Sequence, residues 1–122
     1  MTIFPEEIGF LSLFECEPTL FDNTSNDLPF YNNIAKYKFS NGEENFVVTI
    51  SPADGEVKIR VSKRESNRLI SLLELKRVNK FEITSDKKDF SSVLLTVQNE
   101  DSQQMIEIDF KPYFKLIIKE HS

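Results

Sequence analysis

Glu107 and Asp109 stand two residues apart in the alternating run Met105–Phe110. On a strand, that spacing puts both carboxylates on one face, with Cβ atoms about 7 Å apart at a rise of ~3.3 Å per residue. Carboxylates paired at such a distance hydrolyse glycosides. Alternating acids are also the normal pattern of a wet sheet face, and that plainer reading is favoured here. His121 is the only histidine and lies at the penultimate position, where a general base is poorly held. Cys16 is the only cysteine. It can form no internal disulfide, no multi-thiolate metal site and, with the single histidine far away in sequence, no triad. Cys16 reads as a small core hydrophobe.

The remaining motifs fail on spacing. Asp22, Thr24 and Asn26 resemble the opening of a calcium loop, but Asp27 stands where glycine is needed and Asn33 where a bidentate acid is needed. Asn23-Thr24-Ser25 matches a glycosylation acceptor, which is idle without secretion. Ser85 and Lys88 match S-x-x-K in a charged loop without its companion motifs. The glycines are scattered, so no phosphate-cradling loop exists. Cations at 58, 60, 63, 64 and 68 gather without interleaved aromatics, a weak signal for nucleic acid. No catalytic, cofactor or metal residue is assigned, and the chain is not expected to be an enzyme.

The elements that position these side chains centre on Phe46–Val61. Phe46 to Ile50 is apolar and β-branched, and Val57, Ile59 and Val61 alternate with Lys58 and Arg60. Period two puts the apolar set on one face and the cations on the other. Ser51-Pro52-Ala53-Asp54-Gly55 supplies the reversal, because Pro presets φ and Gly accepts a positive one. Ala35, Tyr37 and Phe39 precede this hairpin on a further strand, before the Asn41-Gly42 turn. After it, residues 69–76 are read as a strand against a competing helix over 63–77, whose capping box would be Ser62 and Glu65. Strands follow at Lys80–Thr84, Val93–Gln98, Met105–Phe110 and Phe114–Ile118.

Before residue 33 the pattern changes. Ile8, Phe10, Leu11, Leu13 and Phe14 are read as one stripe of a short helix, with Pro5, Glu6 and Glu7 at its start. Residues 17–33 are rich in Pro, Asn, Asp, Ser and Thr and read as a long loop pinned by Leu20, Phe21, Leu28, Phe30 and Tyr31. The expected fold is α+β and mostly β: an antiparallel curved sheet or small sandwich of about seven or eight strands with one short N-terminal helix. A length of 122 residues fits a single domain over 1–122.

Charge is segregated. Residues 1–35 hold Glu6, Glu7, Glu15, Glu17, Asp22 and Asp27 and no Lys or Arg. The remainder carries fourteen acids and fifteen bases, so the net charge of −5 resides in the first third. Such a balance disfavours nucleic acid. The acidic third is either a solvated face or a docking surface for a basic partner. The start, MTIFPEEIGF, lacks the positive charge and apolar run of a secretory signal, and no run approaches the ~20 apolar residues of a membrane span. A soluble cytoplasmic chain is expected.

Leu28-Pro29-Phe30-Tyr31-Asn32-Asn33-Ile34, leading into an alternating strand, and the later run Leu73–Ile83 are similar to the small β-rich immunity proteins of bacterial toxin–immunity systems, including contact-dependent inhibition. Tyr31-Asn32 stands where one such family has His-Asp. The resemblance implies a cytosolic antidote that binds and blocks a cognate toxin without catalysis. A basic nuclease toxin fits the acidic first third. On that reading Glu6, Glu7, Glu15, Glu17, Asp22 and Asp27 form the contact surface, with Phe21, Phe30 and Tyr31 as anchors. Two other readings stand beside it: an acidic secretion chaperone, distinguished by a stable dimer, and a small-ligand or carbohydrate-processing domain, distinguished by a cavity reaching Glu107 and Asp109.

Overall fold

The computed structural model describes residues 3–20 and 33–121. The central hairpin is formed by β3 (Glu44–Ser51) and β4 (Glu56–Lys63). Phe46 lies opposite Val61, Val48 opposite Ile59 and Ile50 opposite Val57, and all six side chains are buried. Lys58 and Arg60 point to the wet side. A single 3-10 turn at Pro52–Asp54 reverses the chain, and Gly55 closes it at φ 65°, the left-handed region that glycine enters without cost. The Ser51 hydroxyl donates to the Asp54 carboxylate at 2.9 Å and stiffens the turn.

This hairpin belongs to a five-stranded sheet in the order β1 (Thr19–Leu20), β2 (Ala35–Ser40), β3, β4, β5 (Leu69–Leu75). A second sheet of four strands runs β6 (Val78–Asp86), β7 (Ser91–Gln98), β8 (Gln103–Lys111), β9 (Lys115–His121). Every neighbouring pair is antiparallel. The chain passes between sheets at Lys76-Arg77, where Arg77 takes φ 61°. The Val78 amide then donates to the Gly55 carbonyl, and the Arg77 carbonyl accepts from the Gln98 amide. Of the two architectures expected, the fold is the sandwich. It has one strand more than the upper count: β1, two residues in the Pro- and Asx-rich stretch, too short to carry a period. Residues 69–75 are strand, as read.

One buried cluster draws on both sheets and on α1 (Glu7–Phe14). Phe46 and Phe39 of the first sheet meet Phe110 of the second edge-to-face, at 5.3 and 5.4 Å between ring centroids. Helix α1 stitches the sheets together. Phe10 packs on Tyr37 of β2 and edge-on to Phe81 of β6 at 5.1 Å. Phe14 stacks on Phe39 at 4.7 Å and meets Phe110 at 5.6 Å. Each such ring contributes about 1.5–3 kcal/mol by burial, with about 0.5–1.5 kcal/mol more from a well-placed aromatic pair.

The expected helical stripe needs one correction. Phe10 and Leu13 and Phe14 are buried, but Ile8 is 73% exposed. At about 100° per residue, Ile8 sits about 120–160° round the helix from each of those three. Five apolar residues at that spacing cannot share one face.

Glu44 joins the turn ends of the two sheets. Its carboxylate accepts the Asn41 side-chain amide at 2.8 Å and the Phe114 backbone N–H at 2.9 Å. The Asn41 amide also donates to the Phe110 carbonyl at 2.8 Å. A part-buried acceptor with two donors is costly to remove, because the Phe114 amide loses its partner and the Asn41 amide one of its two. Glu44→Ala is expected to lower the urea midpoint by the equivalent of about 1–3 kcal/mol. Glu44→Gln keeps an acceptor oxygen and is expected to recover most of that loss.

Candidate partner-binding surface

The outward side of α1 carries the acids singled out by sequence. Glu6 precedes the helix and Glu7 opens it, both exposed, where the amide dipoles favour negative charge. Glu15 and Glu17 are exposed just beyond its other end. Glu15 caps the helix at φ 57°, its amide donating to the Leu11 carbonyl. The structure therefore places Glu6, Glu7, Glu15 and Glu17 outward and in two groups, one at each end of an eight-residue helix. Eight residues span about 12 Å, so both groups fit within one interface. Asp22, Asp27, Phe21, Phe30 and Tyr31 lie outside the described residues, as does most of the candidate calcium loop.

Two residues missed by sequence reasoning join this surface. Ile8, Ser12 and Glu15 recur at i, i+4 and i+7 on the outward face, so Ile8 is an apolar knob among acids. Its position was readable from the helical angle alone. Asp86, at the end of β6, accepts the Ser12 hydroxyl at 2.6 Å and adds a carboxylate to the helix flank. No sequence pattern signals that contact across 74 residues. One cation opposes the trend: the Lys111 ammonium holds the Glu15 carboxylate at 2.8 Å. Glu15 is thus half engaged within the chain, whereas Glu6, Glu7 and Glu17 are exposed to solvent.

The residues with catalytic spacing do not converge. Glu107 is exposed on the outer face of the second sheet, opposite Leu94 and Ile117. Asp109 lies opposite Ser92 and Lys115 on the same wet face. The largest of four described surface depressions, about 460 Å³, lies between the β2–β3 turn, Lys88 and Tyr113. Neither acid lines any of the four. Among the described residues no group of three His, Cys, Asp or Glu side chains is placed to hold a metal. None of their helices is long and apolar enough to cross a membrane.

Two groups, half-buried Cys16 just beyond the helix and buried Tyr37 beneath it, have displaced acidities. Burial pushes the Cys16 thiol up, against a weaker pull from a backbone hydrogen bond at Lys38. A thiol held in its neutral form suits a packing role, and Cys16 does pack against the core. Burial also holds the Tyr37 phenol far above its ordinary 10.0, with the Glu7 and Cys16 charges adding to the effect. Its hydroxyl has no hydrogen-bond partner among the described residues. A raised folded value means that unfolded Tyr37 loses its proton first. Its ionisation therefore costs nothing below about pH 10 and lowers the stability of the native chain as pH rises beyond it. Tyr37→Phe is expected to leave stability at pH 7 unchanged or raised by about 1 kcal/mol. Urea titrations at successive pH values above 9 check the sign: the native chain loses stability more steeply than the variant.

Two antiparallel sheets of five and four strands, bridged at one side by a short acidic helix, define an all-antiparallel β-sandwich with an N-terminal helical wedge. A chain of the contact-dependent growth inhibition toxin–immunity protein complex from Klebsiella pneumoniae 342 has this fold. It superposes over 98% of this chain and 97% of its own length, with a TM-score of 0.75 and 21% identity. No protein-family model matches the sequence, and no curated protein matches it. At that identity the likeness is one of fold, and at that level it bears out the resemblance read from residues 28–34 and 73–83.

Proposed function

We propose that this chain is an immunity protein: a single, non-catalytic, cytoplasmic domain over 1–122 that binds and neutralises a cognate toxin domain. The observation that carries the reading is the end-to-end fold likeness to a chain of a toxin–immunity complex. The charge distribution agrees with it. Glu6, Glu7 and Glu17 project from the helical wedge with Ile8 between them, and complementary potentials speed and orient association with a basic partner. A basic nuclease domain is the toxin that this surface suits best. Asp22, Asp27, Phe21, Phe30 and Tyr31 complete the proposed contact, the aromatic residues as anchors within an acidic rim.

The test is to express the open reading frames neighbouring the gene with and without this chain, the toxin being one that stops growth on its own. Cells carrying both are expected to grow, and cells carrying the toxin domain alone to stop. Equal killing with and without the chain would remove the proposal.

A further inference from the structure

Among the described residues two sheets have four edges, and three of them are partly covered, charged or very short. The outer edge of β6 is met at residues 79–81 by the N-terminal segment: the Ile3 amide donates to the Asn79 carbonyl and the Phe81 amide to the Ile3 carbonyl, both at 2.8 Å. Strand β9 ends the second sheet with exposed Lys115, Lys119 and Glu120 along it. Strand β1 is two residues long. Occupied, charged or very short edges are the usual means of preventing strand addition.

Strand β5 has none of these devices. It is seven residues long, pairs among the described residues only with β4, and carries one charge, Glu74. Leu69, Ile70 and Leu72 are each 42–45% exposed. A long apolar edge left open among the described residues, beside edges that are partly covered, charged or short, suits strand pairing.

Charge selects the occupant. Arg68 precedes β5, and Lys76 and Arg77 follow it, all exposed. On the neighbouring strand Arg60 lies opposite Leu72, and Lys58 opposite Glu74. An added strand meets an apolar centre flanked at both ends by cations. A second copy paired antiparallel about Leu72 would set Arg68 against Lys76 twice, and like charges directly opposite destabilise a sheet; the register about Ser71 sets Arg68 against Glu74 instead, and the mass of the native chain tests it. We propose that the open edge of β5 accepts an extended strand of a partner protein, apolar at its centre and acidic at both flanks. This surface is opposite in charge to the α1 face, and it does not depend on the toxin reading.

The probe is a synthetic peptide alternating valine and threonine with glutamates at both ends, titrated into the full-length chain. Backbone amide shifts are expected to move along β5 and β4 and to be insensitive to changes at Glu6 or Glu7. The same peptide with lysine ends is expected to bind about tenfold or more weakly. Leu72→Lys, at a position already 44% exposed, is expected to keep the fold by circular dichroism and lose the peptide. Arg68→Glu combined with Lys76→Glu is expected to reverse the preference between the two peptides. Equal binding of both peptides, shifts located away from β5, or a native chain that doubles in mass until Leu72→Lys is introduced would each overturn the assignment.

Discussion

Phe14→Ala lowers the free energy of unfolding by about 3–5 kcal/mol, the range for removing a fully buried ring. Domains of this kind have about 5–15 kcal/mol in total, and the loss corresponds to a fall in Tm of about 10–20 °C. The magnitude follows from where the ring sits. Phe14 is 3% exposed and touches Phe39 and Tyr37 of the first sheet at 4.7 Å each, and Phe110 of the second at 5.6 Å. Deleting it opens a cavity where helix and both sheets meet. The helix itself cannot compensate, since eight residues are too few to be stable alone. Phe14→Leu refills most of the volume and is expected to cost well under half as much. Ile8→Ala, on the same helix but facing solvent, is expected to change stability by about 0.5 kcal/mol or less. Urea denaturation of the three variants checks the ordering. Equal effects at positions 8 and 14 would mean that the helix does not wedge the sheets.

The second large effect concerns association. Reversing Glu6, Glu7 and Glu17 to lysine together is expected to weaken binding to a basic toxin domain about a hundredfold or more, chiefly through the association rate. Glu15 is left unchanged because it holds Lys111, so its loss would confuse binding with folding. Lysines at the helix start oppose the amide dipoles, at about 0.3–1 kcal/mol each, and the Glu→Gln triple variant separates that cost from the charge effect. Stopped-flow mixing at low and high salt reads the result. The native rate falls steeply with salt, and that of the lysine variant does not. A native rate indifferent to salt would assign the acids to solubility alone.

Much of the architecture was legible because the strands alternate. Val57, Ile59 and Val61 against Lys58 and Arg60, and Ile106, Ile108 and Phe110 against Glu107 and Asp109, announce both the strand and the face it buries. The turn at Pro52–Gly55 announces the pairing. What did not show is how eight expected strands divide into sheets. The crossing rests on Arg77 at φ 61°, a conformation that non-glycine residues adopt rarely and that no sequence pattern marks. The helix cap at Glu15 was hidden for the same reason. On the candidate surface, the acids were visible in composition, and Ile8 was hidden only by counting apolar residues without their angles. Asp86 and the unguarded edge of β5 depend on tertiary placement. Residues 69–75 look much the same in sequence whether their edge is covered or open.

The account rests on recognition of a toxin by this chain, and one measurement reaches it most directly. The purified chain is mixed with a toxin domain identified among the products of the neighbouring genes, and toxin activity is followed against chain concentration. The account predicts stoichiometric loss of activity, a stable complex on gel filtration, and inhibition that weakens when Glu6, Glu7 and Glu17 are reversed. Full toxin activity in excess chain, with the two proteins eluting separately, would contradict it.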